Sequence, residues 1–152
     1  MASTETKKQK VVVDSLTTIL ADTFVLYYKT HLSHWNVEGP NFKALHDLFM
    51  AQYTEIWNAL DELAERLRAL DAYAPVSIKT LTSHATLKEF GQNRDAMQMV
   101  RELADDNTEL AKSLAKAIEQ ADAAGDAATA DLLTGRQAVH EKAAWMLRAT
   151  TK

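Results

Sequence analysis

The sequence predicts an all-α protein: a bundle of four long helices with one short helix in the connection between the second and third. Three observations predict it. The 152 residues contain only 4 Gly and 2 Pro, too few for a β-sandwich or barrel, which turns back about every ten residues. Apolar residues recur at helical spacing in four long runs. Those runs are joined short, long, short, so the middle connection has length enough to cross from one end of the bundle to the other. With 47% hydrophobic and 25% charged residues, the chain can bury one sizeable core, and a second independent domain is not called for.

Helix one is read from Val11 to Val37, with Val12, Leu16, Ile19, Leu20, Phe24 and Tyr27 at helical spacing, ended by Glu38-Gly39-Pro40. The residues before it, 1–10, read as a flexible lysine-bearing tail, leaving 11–150 as the bundle domain. Asn41 is the expected N-cap of helix two, Phe42 to Leu70, whose apolar residues are Phe42, Leu45, Phe49, Tyr53, Ile56, Leu60, Leu63 and Leu67. From Asp71 to about Asn93 the periodicity fails, except at Val76 to Leu81, which can form a small helix. Helix three runs from Arg94 to Ala121 on Met97, Val100, Leu103, Leu110, Leu114 and Ile118. Asp126 caps helix four, which reaches about Ala149 with Leu132, Leu133, Val139, Trp145 and Met146 expected inward. The resulting fold class is a ferritin-like four-helix bundle.

Composition narrows the chemistry. There is no Cys, so disulfides, thiolate metal sites and a cysteine nucleophile are excluded, and any metal must be held by His, Asp and Glu. A net charge of −4 argues against a generally basic nucleic-acid surface, although a local basic tail remains compatible with it. The first ten residues are polar, unlike a secretory signal, and no long uninterrupted apolar run suggests a membrane span. A cytoplasmic location is the expectation.

Unrolling helix two at about 100° per residue puts a second stripe beside the core face: His46, Met50, Trp57, Asp61, Ala64, Glu65 and Arg68. A stripe that mixes a large aromatic, a thioether, a His and two carboxylates reads as a partner-facing surface with a polar site in it. Asp61 and Glu65 are spaced i,i+4, a like-charge pair that weakens a helix unless a cation lies between them. That cation is either Arg68 or a metal. His31 and His34 lie on the apolar side of helix one, each a satisfied core histidine or a ligand, and His46 faces His34 across the short turn. His46 and Asp61 are fifteen residues apart, roughly 22 Å along one helix, and metal–ligand bonds are about 2 Å. If these residues form one site, a second subunit must bring its own Asp61 and Glu65. Two antiparallel copies of helix two crossing near Thr54 would do so, with the Trp57 stripe as the contact.

At these residues the sequence resembles the Dps family, the miniferritins. The likeness is carried by His31-Leu-Ser-His34-Trp-Asn-Val-Glu-Gly-Pro-Asn-Phe42, Leu45-His46-Asp-Leu-Phe49, Asp61-Glu-Leu-Ala-Glu65-Arg-Leu-Arg-Ala-Leu70 and His140-Glu-Lys-Ala-Ala-Trp-Met-Leu147. The resemblance implies a hollow homododecamer that oxidises Fe(II) with hydrogen peroxide or oxygen and stores Fe(III). It implies iron ligands His34 and His46 from one subunit and Asp61 and Glu65 from its two-fold mate, one or two ions per site, with Trp35 as a neighbour of the iron rather than a ligand. It also implies acidic three-fold pores, for which Asp122, Asp126 and Asp131 are candidates, the alternative for Asp126 being simple capping.

One position departs from the pattern. Family members usually carry a carboxylate four residues after the second histidine, where this chain has Met50. A thioether is a poor ligand for iron, so the expectation is that the site on His34, Asp61 and Glu65 survives while the second position near His46 is weak. Asp47 points about 100° away, and Glu55 is the other nearby carboxylate. Two further readings stand beside iron oxidation: DNA binding through Lys7, Lys8 and Lys10, multiplied over a large assembly, and a non-catalytic bundle whose Trp57 stripe only dimerises.

Overall fold

The structure is a computed structural model, and it describes residues 4–92 and 94–152, excepting the side chain of Glu5. Five helices follow in order: α1 (Thr4–Asn36), α2 (Phe42–Ala69), α3 (Ile78–Ser83), α4 (Ala96–Ala123) and α5 (Ala127–Ala149). Helix directions follow from the cross-helix bonds. Ser15 reaches Gln120 while Lys29 reaches Asp106, so α1 and α4 are antiparallel. Glu55 bonds Arg136 and Arg66 bonds Asp126, so α2 and α5 are antiparallel as well. With the α1–α2 and α4–α5 hairpins this makes α2 and α4 parallel, and the segment between them must travel the length of the bundle. The ferritin-like four-helix architecture expected from the sequence is what the chain adopts.

That long connection is strapped to α1 by two charged residues buried on that helix, Asp22 and Lys29. Asp22, 1% exposed, accepts bonds from the Thr86 N–H and hydroxyl, both at 2.6 Å, and from the Leu87 N–H at 2.9 Å. Two turns on, Lys29 donates to the Lys88 carbonyl at 2.8 Å, pairs with Glu102 and Asp106 on α4 and lies over the Phe90 ring. Burial raises the Asp106 carboxyl above its ordinary pKa, against the pull of Lys29. A stretch of α1 is long and apolar enough to cross a membrane by composition, yet half of it is buried in this bundle. Asp22 and Lys29, both on that helix, are bonded to the long connection and, for Lys29, to α4, as a bundle requires and a span does not.

Several sequence expectations need correction. Of the expected tail, residues 1–3 lie outside the described residues, and from Thr4 onward the segment is already helical in α1, with Lys7, Lys8 and Lys10 exposed on its first turns. Thr4 to Lys10 contains no Gly or Pro and is rich in good helix formers, while Lys10 pairs with Asp14 and Gln9 reaches the Leu70 carbonyl. Asn41 occupies the N-cap position of α2 but its side chain makes no capping bond. The turn is closed instead by the Phe42 N–H donating to the Gly39 carbonyl, with Gly39 at φ 109°, a conformation open to glycine. Phe42 is 42% exposed, not core. Trp145 and Met146 also face outward; the buried stripe of α5 is Leu133, Arg136, His140, Ala143, Ala144 and Leu147. Hydrophobicity alone missed it because two of its members are polar. α4 begins two residues later than expected, where Asp95 and Gln98 form a reciprocal capping box.

The polar part of the α5 stripe has one consistent protonation pattern. Arg136 can only donate, so its contact to His140 Nε2 at 3.2 Å requires that nitrogen to be bare. His140 Nδ1–H then donates to Asn107 Oδ1 at 2.8 Å, whose amide nitrogen donates to the Leu103 carbonyl. Burial, and after it the Arg136 charge, push the His140 pKa down to about 3. The unfolded chain therefore takes up a proton near pH 6.5 that the folded chain refuses until about pH 3. Stability contributed by neutral His140 is complete above pH 6.5 and drains as the pH falls below it, by at most about 1.4 kcal/mol per pH unit. His140→Gln should flatten the fall of the urea midpoint on acidification below pH 6.5; an unchanged slope would show that other groups set the acid sensitivity.

Candidate metal centre

The end of α1 and the start of α2 meet across the Gly39 turn, and this places His34 and His46 face to face. Their rings stack with centroids 3.6 Å apart at 18°. His34 Nδ1 lies 2.7 Å from the His46 carbonyl oxygen, and His46 Nδ1 lies 2.7 Å from the His34 carbonyl oxygen. A carbonyl can only accept, so both Nδ1 atoms carry hydrogen. Each imidazole is thereby fixed in the tautomer whose Nε2 lone pair is free for a metal, the state that a backbone carbonyl imposes on ligating histidines. His34 is 8% exposed and His46 half-buried.

His31 is not part of this pair. The Tyr27 hydroxyl sits 2.8 Å from its Nδ1, and Tyr53 stacks on its ring at 3.8 Å. Burial first, and the neighbouring His34 second, lower its pKa below the ordinary value. Of the two readings open for His31, the satisfied core histidine is the one the contacts support. Trp35 packs on His31 with centroids 4.1 Å apart and is 56% exposed, a neighbour of the histidine cluster with no coordinating atom to offer.

Asp61 and Glu65 sit on the exposed side of α2, four and eight residues beyond Trp57, itself 57% exposed. The cation suggested by the sequence does not serve them. Arg68 donates to the Ala72 carbonyl and lies over the Tyr73 ring, and Arg66 is taken by Asp126 and Thr129. Among the described residues neither carboxylate has a hydrogen-bond or ion-pair partner. No three His, Asp or Glu side chains come together within one chain among those residues, so the fold unites the two histidines and leaves the two carboxylates at the far end of the same helix.

The other nearby carboxylates are committed elsewhere. Asp47 holds Lys43 through both oxygens at 2.7 and 2.8 Å, and that bond lowers its pKa. Glu55 forms a two-point pair with the buried Arg136. Met50, 44% exposed, stands one turn from His46. In the candidate pore cluster Asp126 is the N-cap of α5, accepting from the Thr129 N–H at 3.0 Å and from Arg66 at 2.7 Å. Burial works to raise its carboxyl, and the Thr129 and Arg66 bonds together outweigh it and hold the pKa low. Asp122 and Asp131 are exposed. The capping alternative therefore accounts for Asp126, and a cation-attracting surface here rests on the other two.

Known proteins share this fold over nearly the whole chain. A family model described as a ferritin-like domain matches residues 13–152. A DNA protection during starvation protein of Brevibacillus brevis is 38% identical over 145 residues, spanning 95% of this chain and 97% of its own. This chain belongs to the Dps family. The solved Dps structure from Thermosynechococcus elongatus superposes with a TM-score of 0.96 at 30% identity, covering 99% of this chain and 96% of that one. A Dps structure from Vibrio cholerae, described as a member of a broad superfamily of ferritin-like diiron-carboxylate proteins, matches at TM-score 0.91 and 31% identity over 97% of this chain and 92% of its own. A diiron-carboxylate centre, the feature by which the superfamily of the Vibrio cholerae protein is described, takes carboxylate and imidazole donors. The residues of this chain fit it: two imidazoles with free Nε2 atoms and two uncommitted carboxylates are the oxygen and nitrogen donors that iron takes.

The reciprocal histidine bonds, the Asp22 and Lys29 straps and the Arg136–His140 network were not foreseen. For the straps a signal existed, since Asp22 and Lys29 are two turns apart on the face that also holds Val25 and Leu26. Nothing in residue spacing announces a side chain bonding the backbone of its opposite number.

Proposed function

We propose that this protein oxidises Fe(II) with hydrogen peroxide at centres shared between subunits and stores the Fe(III) in a hollow homododecamer, so protecting DNA from iron-driven oxidation. The observation that carries the proposal is the pair of histidines, His34 on α1 and His46 on α2, locked with both Nε2 atoms free, while the i,i+4 carboxylates of α2 without a partner among the described residues, Asp61 and Glu65, lie about 22 Å along that helix from His46. One chain cannot close that gap, and two-fold pairing of antiparallel α2 helices closes it twice. His34, with Asp61 and Glu65 of the partner subunit, would hold the first Fe(II), and His46 would face the second. Iron enters here as the substrate. Two Fe(II) ions deliver the two electrons that carry one peroxide to water without releasing hydroxyl radical, and the protein supplies position and charge.

Asp122 and Asp131, the exposed acidic pair at the α4–α5 junction, are the residues proposed to draw Fe(II) toward the interior, their field acting as an electrostatic guide. The cytoplasm is the proposed location.

Replacing His34 by Ala, or Glu65 by Gln, should slow peroxide-driven Fe(II) oxidation by at least about 10- to 100-fold, the loss that even outer-shell changes produce, while the assembly measured by light scattering stays whole. Disassembly of both variants would make these residues structural instead.

Met50 is proposed to weaken the second iron position. With Asp47 held by Lys43 and Glu55 held by Arg136, neither supplies the missing oxygen donor. Met50→Glu should raise the Fe(II) bound anaerobically toward two per site and speed the peroxide reaction. Two equally tight ions per site in the unaltered protein would contradict this.

A second reading, direct DNA binding, is favoured only by the exposure of Lys7, Lys8 and Lys10 on one helix end, where Lys10 already has Asp14 as its partner. If these lysines bind phosphate, a gel shift should weaken steeply with salt and disappear on Lys7→Ala together with Lys8→Ala. A shift that survives the double substitution would locate the contact elsewhere.

A further inference from the structure

The rings around the histidine pair form a continuous path that Fe(II) binding does not require. Tyr53 meets the edge of His34 with centroids 5.2 Å apart and stacks on His31 at 3.8 Å and 12°. Tyr27 lies 5.5 Å from His31 and 6.4 Å from Tyr53, with its hydroxyl 2.8 Å from His31 Nδ1. Its other side contacts Trp57 at 5.2 Å, four residues before Asp61. From His34, then, two ring contacts reach a phenol hydrogen-bonded to an imidazole nitrogen, which accepts the phenolic proton when the His31 hydrogen is on Nε2.

We infer that Tyr27 is a one-electron donor in the iron reaction: when a single Fe(II) at the His34 position meets hydrogen peroxide, Tyr27 supplies the second electron and His31 receives its phenolic proton. The inference rests on the ferroxidase reading above and deepens it. A peroxide needs two electrons to reach water, and Met50 leaves the site short of its second iron. One Fe(II) alone would release hydroxyl radical. With Tyr27 the balance is Fe(II) + Tyr–OH + H2O2 + H+ giving Fe(III) + Tyr–O radical + 2 H2O. The peroxide O–O bond breaks, iron and the phenol are each oxidised by one electron, and the phenolic proton passes through His31 to the departing oxygen. The next Fe(II) restores the phenol, taking up one proton and becoming Fe(III).

The surroundings single out Tyr27 among the rings. Oxidising a phenol without removing its proton leaves a radical cation, a far costlier product, and Tyr53 has no hydrogen-bond partner for its hydroxyl among the described residues. Trp35 and Trp57 are both more than half exposed and likewise have no base at the indole N–H. Burial, and then Tyr53, raise the Tyr27 phenol above its ordinary pKa, so the group is protonated at rest.

The test uses the assembled protein loaded anaerobically with one Fe(II) per site, mixed with one equivalent of peroxide, frozen within the reaction time and examined by electron paramagnetic resonance. The expected result is a tyrosyl signal, one peroxide consumed per Fe(II), loss of the signal in Tyr27→Phe, and spin-trapped hydroxyl radical appearing in its place. Met50→Glu loaded with two Fe(II) per site leaves Tyr27 untouched and should suppress the tyrosyl signal by restoring paired iron, so the inference stays open to refutation even if Tyr27→Phe folds poorly. A tryptophanyl signal, a tyrosyl signal undiminished in Tyr27→Phe, or oxidation at two Fe(II) per peroxide with no organic radical would overturn it while leaving the ferroxidase reading intact. Failure of the unaltered protein to oxidise Fe(II) at all would overturn both.

Discussion

Fifteen residues of unbroken helix lie between His46 and Asp61, and α2 holds them roughly 22 Å apart as a rigid rod. No rotamer change shortens that distance. His46 and the Asp61–Glu65 pair consequently cannot meet on one ion within a single chain, and in the proposed assembly a second copy supplies the other half. The exposed Trp57 and Met50 between the two ends are consistent with this, because an aromatic and a thioether on an open helix face gain by being covered. Oligomerisation and metal binding are in this view one geometric requirement.

The rest of the fold serves to keep α2 straight and its first turn in place. The histidine pair joins α1 to α2 through two bonds made with the backbone, so ring orientation is tied to the Gly39 turn rather than to side-chain packing alone. At the other end Arg66 fastens α2 to the cap of α5. Between them Glu55 compensates the Arg136 charge that α5 buries. The carboxylates of α2 thus divide into those spent on internal pairing, Asp47 and Glu55, and those left open, Asp61, Glu62 and Glu65, of which Asp61 and Glu65 stand one turn apart on one face. Only the second group is available for a cation.

The helices were legible because their apolar periodicity is strong and the punctuation at Gly39-Pro40 and Gly125-Asp126 is clear. The candidate site residues were named from type and spacing, and the fifteen-residue separation is what the proposal of a two-chain site rests on. Elsewhere the sequence misled for identifiable physical reasons. Trp145 looked like core because it is large and apolar, whereas close α4–α5 packing is served by Ala143 and Ala144, and the buried polar His140 and Arg136 are bonded to Asn107 and Glu55 as well as to each other. The lysines near the N-terminus looked like a tail because they are polar, but polarity does not oppose a helix that merely extends an existing one. Asp126 looked equally suited to a pore and to a cap, and only its bonds to Thr129 and Arg66 show how it is spent.

The claim that the centre is shared between subunits is tested most directly by a crystal structure of the assembled protein soaked with Fe(II) under anaerobic conditions. The account predicts metal density bonded to His34 Nε2 and to Asp61 and Glu65 of the partner subunit, at about 2 Å from each donor atom. Metal held entirely by side chains of one chain, or His34 remote from every Asp61 in the assembly, would contradict it.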